Sequence, residues 1–264
     1  LSAKPYAQIS WASGIDLKTG RPAFNPSADY DKAPALVYPS AAGAHNWQPM
    51  SFNPQTGLVY IPAIEGAMIY AKGYDMKGRT LADRWGVYGV FVDDYPKPGI
   101  PQFGLPPLDS VLAGRQPPKR RGVLRAWDPI AGKVAWEAEA SSFWAGGVLS
   151  TGGDLVIQGD PSGALMVRDA RNGKLVKRID TGSSIMAAPM TYAIGGVQYV
   201  AVLTGFGGGP GWAFPPDTAA YRYGNGNRIL VFKLDGASTP LPEPFVDQPV
   251  PSPPAQSRTP AHLA

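Results

Sequence analysis

Short apolar runs separated by glycine-containing turns recur along residues 122–235, and this pattern predicts β-strands. Residues 125–136 (RAWDPIAGKVAW) and 166–177 (MVRDARNGKLVK) each predict a strand, an Asp-x-x-x-Gly-Lys turn and a second strand. In such a turn the Asp side chain caps the backbone and the glycine takes a positive φ. Asp128 and Asp169 set a repeat of about 40 residues, which is typical of β-propeller blades.

A second kind of hairpin lies between these turns. Residues 49–62, 148–159 and 189–203 each predict a strand, a tight turn and a strand. One hairpin of each kind makes a four-stranded sheet, which is one propeller blade. Residues 11–22 carry a further Asp-x-x-x-Gly-basic turn and predict the end of a blade whose earlier strands are absent. We therefore expect an all-β partial propeller of about three to four blades.

Three stretches depart from the strand pattern. Residues 64–121 read as a long insertion, a loop that in a propeller lies across one face of the disc. Residues 237–264 are rich in Pro, Ser and Ala and predict a linker or tail. The propeller part is therefore assigned to residues 1–236. The start at Leu1 is what we expect of a mature or excised segment.

The composition supports an all-β chain and narrows the chemistry. The 264 residues include 32 Gly and 29 Pro, which suit a turn-rich fold. The absence of Cys excludes disulfides, thiolate metal sites and covalent c-type haem within the chain. The net charge is +4, and its one basic run, residues 119–121, is interpreted as a solvated loop, so no nucleic-acid partner is expected. No apolar run reaches membrane-spanning length.

Candidate chemistry begins at the mouth of a predicted strand. His45, Asn46 and Trp47 stand side by side there, and on chemistry alone they are a turn with a packed aromatic residue. Packing is favoured over a general-base role for His45, and a zinc site is not expected because the other histidine, His262, lies in the tail. The adjacent Asp93 and Asp94 are either solvated or a weak Ca²⁺ site, and the sequence favours solvation.

The glycine-rich residues 205–212 (GFGGGPGW) interrupt the strand pattern. So many glycines indicate either a strained turn or close approach of the backbone to a ligand. A phosphate-binding loop is not indicated, because no Lys-Ser/Thr pair follows.

Several of these segments carry a resemblance. Residues 45–60 (HNWQPMSFNPQTGLVY) closely resemble a segment of the pyrroloquinoline-quinone (PQQ) dependent alcohol dehydrogenases, the methanol/ethanol dehydrogenase family. Residues 124–129, 144–147 and 198–202 match the same family in the same order. The resemblance covers about residues 1–236, which correspond to the C-terminal half of the family's propeller.

The resemblance implies an eight-bladed propeller that holds PQQ with Ca²⁺ or a lanthanide. It implies oxidation of an alcohol to an aldehyde, electron transfer to cytochrome c or a quinone, and a periplasmic location. The family's catalytic base and metal ligands lie in the earlier half. No catalytic residue or metal ligand is therefore assigned in this chain, and the remaining propeller half is an expected partner.

The resemblance also assigns cofactor contacts. Asn46 would donate its amide to a quinone oxygen, which gains negative charge on reduction. Trp47 would offer an apolar wall, and Trp144 aligns with a Trp near the cofactor. Gly208 and Gly209 align with a pair whose backbone approaches PQQ. Two further tryptophans, Trp127 and Trp136, are interpreted as packing between blades.

Three positions depart from the family. Gln48 stands where familiar members have His, Ala145 where they have Asn or Gly, and Gly209 where they have Val or Trp. These changes alter the substrate space or the electronics of the site, or they indicate that the cofactor has been lost. A second hypothesis is therefore a non-catalytic propeller module, used for binding or assembly, that has lost the catalytic half.

Overall fold

The computed structural model describes residues 2–72, 87–95, 106–207, 216–246 and 252. The strands in these residues are β1 (Ala12–Ile15), β2 (Pro22–Phe24), β3 (Ala35–Val37), β4 (Ser51–Asn53), β5 (Leu58–Glu65), β6 (Met68–Lys72), β7 (Val87–Phe91), β8 (Arg121–Asp128), β9 (Lys133–Glu139), β10 (Val148–Ser150), β11 (Leu155–Gly159), β12 (Ala164–Asp169), β13 (Leu175–Asp180), β14 (Met190–Ile194), β15 (Val197–Thr204) and β16 (Arg228–Lys233). The helical elements are 3₁₀ turns at Pro26–Ala28 and Val92–Asp94, and the helices α1 (Leu108–Leu112) and α2 (Ala219–Tyr223). None of these helices is long and apolar enough to cross a membrane.

The named strands pair in antiparallel sheets that confirm the predicted all-β blades. Strands β4-β5-β8-β9 and β10-β11-β12-β13 form two four-stranded sheets, each of which joins one hairpin of each predicted kind. Strands β14-β15-β16 and β3-β6-β7 form three-stranded sheets, and β1 pairs with β2. Among the described residues, this set of sheets fits a partial propeller.

The Asp-Gly turns fold as the sequence predicts. The Asp128 carboxylate accepts the backbone N–H groups of Ile130 at 2.9 Å and Ala131 at 2.8 Å, and Gly132 has φ +63°. In the equivalent turn the Asp169 carboxylate accepts the Arg171 backbone N–H at 2.7 Å, and Gly173 has φ +74°. These tight turns set the register of the strands that they connect.

The main cores lie between sheets, as blade packing requires. Tyr60 and Trp136 of one four-stranded sheet are buried against Val156 and Ala170 of the next. Trp136 therefore packs between blades, as predicted. On its other side the second sheet buries Ile157 in a further cluster, shared with Ile185 and Val202.

The expectation of a bare loop at residues 64–121 is wrong for the described part of that segment. Strands β6 and β7 pair with each other and with β3. A separate core that includes Leu36, Ile69, Tyr95 and Val111 supports this sheet. The apolar alternation of β6 is short, and its partner β3 lies before the insertion, so the pairing was not visible locally. Residues 73–86 and 96–105 lie outside the described part.

The start of the predicted tail is packed on the protein. The backbone N–H of Phe245 donates to the Arg222 carbonyl at 2.7 Å. Leu241 and Pro242 lie so close to Gly182 that a Cβ there would collide with the proline ring. The tail prediction for residues 247–251 and 253–264 falls outside the described residues.

Candidate functional site

A cleft of about 1110 Å³ opens where loops and strand ends from several sheets meet. Three predicted cofactor residues line this cleft together, Asn46 and Trp47 from the loop before β4 and Trp144 from the loop between β9 and β10. Gly205 and Gly207 of the glycine-rich stretch line it as well. The other predicted contacts, Gly208 and Gly209, lie outside the described residues.

The loop before β4 presents Asn46 and Trp47 to the cleft. The Asn46 side chain donates one amide N–H to the Ala42 carbonyl at 2.9 Å, and its oxygen accepts the Trp47 backbone N–H at 2.9 Å. An Asn amide carries two hydrogens, so the second remains for a ligand. The side chain is thus held at both ends while it keeps a donor at the exposed surface.

His45 anchors this loop to the neighbouring strand. Its Nδ1 donates to the Pro62 carbonyl of β5 at 3.0 Å, and the Ile64 backbone N–H donates to the Ala44 carbonyl at 2.9 Å. A carbonyl only accepts, so Nδ1 carries the proton. This contact supports the packing interpretation of His45.

The loop between β9 and β10 carries Trp144 into the cleft. Ser141 fixes the start of this loop, because its backbone N–H donates to the buried Asp160 carboxylate at 3.0 Å and its hydroxyl donates to the same group. At the other end, the Gly146 N–H donates to the Gly159 carbonyl at 3.1 Å. Gly122 lets the loop cross closely, since a Cβ there would come within 2.9 Å of the Phe143 carbonyl oxygen.

Three aromatic rings extend along one wall of the cleft. The Phe91 ring meets the Phe143 ring edge to face at 5.5 Å, and Phe143 meets Trp144 in the same manner at 5.4 Å. All three residues line the cleft. We call Phe91, Phe143 and Trp144 the aromatic row. Edge-to-face contacts of this kind fix the relative orientation of rings.

Gly205 and Gly207 line the cleft at the end of β15. The Gly205 N–H donates to the Ser184 carbonyl at 2.6 Å, and Gly205 has φ +133°. A side chain at Gly205 would collide with the Asn227 amide oxygen. This position therefore requires glycine, which agrees with the strained turn or close approach predicted from the sequence.

Charged groups beside the cleft form a network that the sequence reading missed. Glu65 accepts hydrogen bonds from Arg121 at 2.7 Å and from the buried Arg125 at 2.6 Å. Burial opposes ionisation of Glu65, but the two arginine hydrogen bonds outweigh it and hold its pKa below the usual value. Arg125 also bonds Glu137 at 2.8 Å.

One signal could have located this network. Glu65, the last residue of β5, lies directly opposite Arg121, the first residue of β8, so an acidic and a basic side chain are neighbours at this end of the strand pair. That signal becomes readable only once β5 and β8 are known to pair.

The solvated-loop interpretation of residues 119–121 is wrong for two of its members. Arg120 and Arg121 line the cleft and are ion-paired, Arg120 with Asp94 at 2.6 Å. Asp93 and Asp94 are exposed, as expected, yet both bond to Arg120. Among the described residues no group of three or more His, Asp or Glu is placed to hold a metal ion.

The family departures lie behind the cleft wall in the described part of the chain. Gln48 is 1% exposed, is not among the lining residues, and its side-chain oxygen has no hydrogen-bond partner. Ala145 is also buried. Neither substitution removes a group from the cleft surface formed by Asn46, Trp47 and Trp144.

No protein-family model matches the chain. Comparison with individual known proteins does find relatives. The chain is 37% identical to quinohemoprotein alcohol dehydrogenase ADH IIB of Pseudomonas putida, over 97% of the chain and 35% of that protein. It is 39% identical to the dehydrogenase subunit of alcohol dehydrogenase (quinone) of Gluconacetobacter polyoxogenes, over 92% of the chain and 32% of that subunit. It is 33% identical to 1-butanol dehydrogenase (cytochrome c) of Thauera butanivorans, over 79% of the chain and 28% of that protein.

Solved structures agree with these relatives. The crystal structure of quinohemoprotein alcohol dehydrogenase from Comamonas testosteroni matches with a TM-score of 0.71 and 34% sequence identity, over 92% of this chain and 33% of that one. The chain thus spans about a third of the length of the curated relatives that it matches.

Proposed function

Because this chain belongs to the quinoprotein alcohol dehydrogenase family, we propose that the protein containing it oxidises an alcohol to an aldehyde with bound PQQ. The chain supplies part of the propeller that binds the cofactor. The observation that carries this proposal is the convergence of Asn46, Trp47 and Trp144 on one cleft. Trp144 is almost 100 residues from the adjacent Asn46 and Trp47, and the resemblance had assigned each of the three to the cofactor.

The cleft residues fit a flat, oxygen-rich group. When bound, PQQ supplies the two-electron acceptor for the alcohol. The second amide N–H of Asn46, which the bond to Ala42 leaves available, would donate to an oxygen of this group, and a donor aimed at an oxygen that gains negative charge would stabilise the reduced form. Trp47 and Trp144 provide aromatic walls of the cleft. Gly205 and Gly207 allow the backbone to approach without a side chain in the way.

The base and the metal ligands are proposed to come from the rest of the propeller, beyond the residues of this chain. The metal is Ca²⁺ or a lanthanide. The acceptor is a quinone or a cytochrome c, the two named for the relatives from Gluconacetobacter polyoxogenes and Thauera butanivorans. A periplasmic location belongs to the same proposal.

The experiment is a dye-reduction assay on the full-length product that contains this chain. We expect primary alcohols to drive dye reduction when PQQ and either Ca²⁺ or a lanthanide are supplied, and the signal to disappear when PQQ is omitted. No alcohol-dependent reduction with PQQ and either metal would contradict the enzyme and favour the non-catalytic binding module.

A further inference from the structure

Arg120 joins two segments at the edge of the cleft. Its guanidinium donates to both carboxylate oxygens of Asp94, at 2.6 and 2.9 Å, and its backbone N–H donates to Asp93 at 2.8 Å. The two aspartates form the 3₁₀ turn after β7, and Arg120 directly precedes β8. A bidentate arginine–carboxylate pair fixes the plane of the guanidinium as well as its position. We call Arg120, Asp93 and Asp94 the clamp.

Arg120 of the clamp contacts two rings of the aromatic row. The guanidinium carbon of Arg120 lies 4.8 Å from the centroid of the Phe91 ring and 6.0 Å from that of Phe143. Both distances allow a cation–π attraction. Phe91 meets Phe143 edge to face, and Phe143 meets Trp144 at an interplanar angle of 80°. A continuous series of contacts therefore runs from Asp94 to the Trp144 ring.

The neighbouring cation does not duplicate this role. Arg121 is engaged by Glu65 at 2.7 Å and Glu137 at 3.3 Å, on the side of the buried network. In the described part of the chain, Arg120 is the cation recorded over Phe91 and Phe143. Loss of its guanidinium would remove the cation–π contacts that restrain the Phe91 and Phe143 rings.

We propose that Arg120, held by Asp93 and Asp94, is a positioning residue that sets the orientation of Trp144 toward the bound cofactor. This inference rests on the proposed function for the identity of that cofactor. It assigns a role at the cleft to two sequence features, an acidic pair and a basic run, that had been interpreted as solvated.

The clamp contributes little to folding stability, so its effect should be seen in the orientation of the cleft residues. The Arg120 side chain is 32% exposed and that of Asp94 51% exposed. Ion pairs at such exposure contribute little to folding stability. Variants of the clamp should therefore fold, and a change in cofactor binding can be read without a collapse of the protein.

The experiment compares four substitutions in the full-length protein. Arg120→Met removes the charge, Arg120→Lys keeps a cation but loses the bidentate bond, and Asp94→Asn weakens the pair. The matched control is Arg178→Met, which disrupts a similarly exposed pair with Asp180 on β13. PQQ affinity is measured by quenching of tryptophan fluorescence. The Trp144 environment is measured by ¹⁹F NMR of 5-fluorotryptophan protein, with its resonance assigned through Trp144→Phe.

We expect Arg120→Met to weaken PQQ binding about fivefold and to shift the Trp144 resonance, since the cation–π contacts to Phe91 and Phe143 and one exposed ion pair are lost. Arg120→Lys and Asp94→Asn should give intermediate effects, and Arg178→Met none. A Trp144 resonance that is unmoved by Arg120→Met, or moved equally by Arg178→Met, overturns the inference. If the unmodified protein does not bind PQQ, the proposed function fails, while the NMR comparison still decides the role of the clamp.

Discussion

The Tyr60 hydroxyl donates a hydrogen bond of 2.9 Å to the carbonyl of Ala170, which lies in the turn between β12 and β13 of the next sheet. The indole N–H of Trp136 donates to the same carbonyl at 3.0 Å, and the Tyr60 and Trp136 rings lie 5.7 Å apart. Side chains from two strands of one four-stranded sheet thus donate hydrogen bonds to a single carbonyl of the neighbouring sheet. The same two sheets are also joined near β4 and β10, where the Ser150 backbone N–H donates to the Ser51 hydroxyl at 3.0 Å. These directional polar contacts fix the register of the two blades, whose apolar contacts are less directional.

Removal of this hydroxyl gives a first prediction. Tyr60→Phe should lower the free energy of unfolding by about 1–2 kcal/mol, because the hydroxyl loses its hydrogen bonds to Ala170 and to the Thr56 hydroxyl at 2.8 Å, while Ala170 keeps the Trp136 donor. Urea denaturation of the full-length protein measures the change. Tyr192→Phe, at an exposed ring, is the matched control and should change stability by less than about 0.5 kcal/mol. Equal effects of the two substitutions would contradict the inter-sheet role.

Glu65 predicts a pH-dependent contribution to stability. Its pKa is lower in the folded protein than in the unfolded chain because Arg125 and Arg121 stabilise the carboxylate against the cost of burial. The contribution is therefore present above the usual carboxyl pKa and is lost as the pH falls through the lower folded value. Glu65→Gln should cost about 2 kcal/mol at pH 7, since the buried Arg125 then keeps one carboxylate, Glu137, and the Tyr6 carbonyl.

The measurement is urea unfolding at a series of pH values from 7 downward. The difference between wild type and Glu65→Gln should shrink toward the acid end, where the wild-type carboxylate becomes protonated. Glu243→Gln, at an exposed position, serves as the control. A stability difference that stays constant down to pH 3 would show that the charge of Glu65 is not what stabilises the fold.

The local part of this fold could be predicted from the sequence because its signals are local. Asp128 and Gly132 stand four positions apart and specify both the cap and the positive φ of their turn. The same chemistry at Asp169 and Gly173 then sets the repeat. Hairpins of this kind are formed by residues close in sequence, so alternation and turn residues are sufficient to find them.

The long-range part could not be predicted, because it depends on which strands become neighbours. Asp94 and Arg120 each look like a solvated charge until β7 and β8 bring them within 2.6 Å. Strand β6 pairs with β3 across the loop that holds Asn46, and no local pattern marks that pairing. The association of Asn46 with Trp144 in one cleft came from the family resemblance, not from any spacing in the chain.

Asn46 provides a direct test of the site. Asn46→Asp keeps the shape but replaces the amide donor with a carboxylate, which repels an oxygen that gains negative charge. Removal of one such donor typically costs 10²–10³ in kcat, so we expect a loss of about 100-fold and weaker PQQ binding. Dye-linked kinetics and a PQQ titration of the full-length protein measure both effects. Asn172→Asp is the control, because its side-chain oxygen still accepts the Lys174 N–H in an exposed turn. Activity within twofold of wild type in Asn46→Asp would exclude the assigned contact.

The last sheet has one buried and one exposed apolar face. Val200, Val202, Leu230 and Phe232 point into the core shared with β11 and β12. On the opposite face Ala201 is buried, but Met190, Ile194, Leu203, Ile229 and Val231 are each at least half exposed. Contiguous exposed apolar surface on a sheet is an association site. In a propeller the neighbouring blade covers such a face.

We therefore predict that the 264-residue chain expressed alone associates as its concentration rises and binds PQQ poorly. The double substitution Ile229→Lys with Val231→Lys should reduce this association, because it places two charges on the exposed face. Ile130→Lys is the matched control, since Ile130 is 95% exposed in the Asp128 turn, away from that face. Size-exclusion chromatography with light scattering measures the mass of each variant. A monodisperse monomer that binds PQQ stoichiometrically, or an equal reduction by Ile130→Lys, would show that this face does not need a neighbouring sheet.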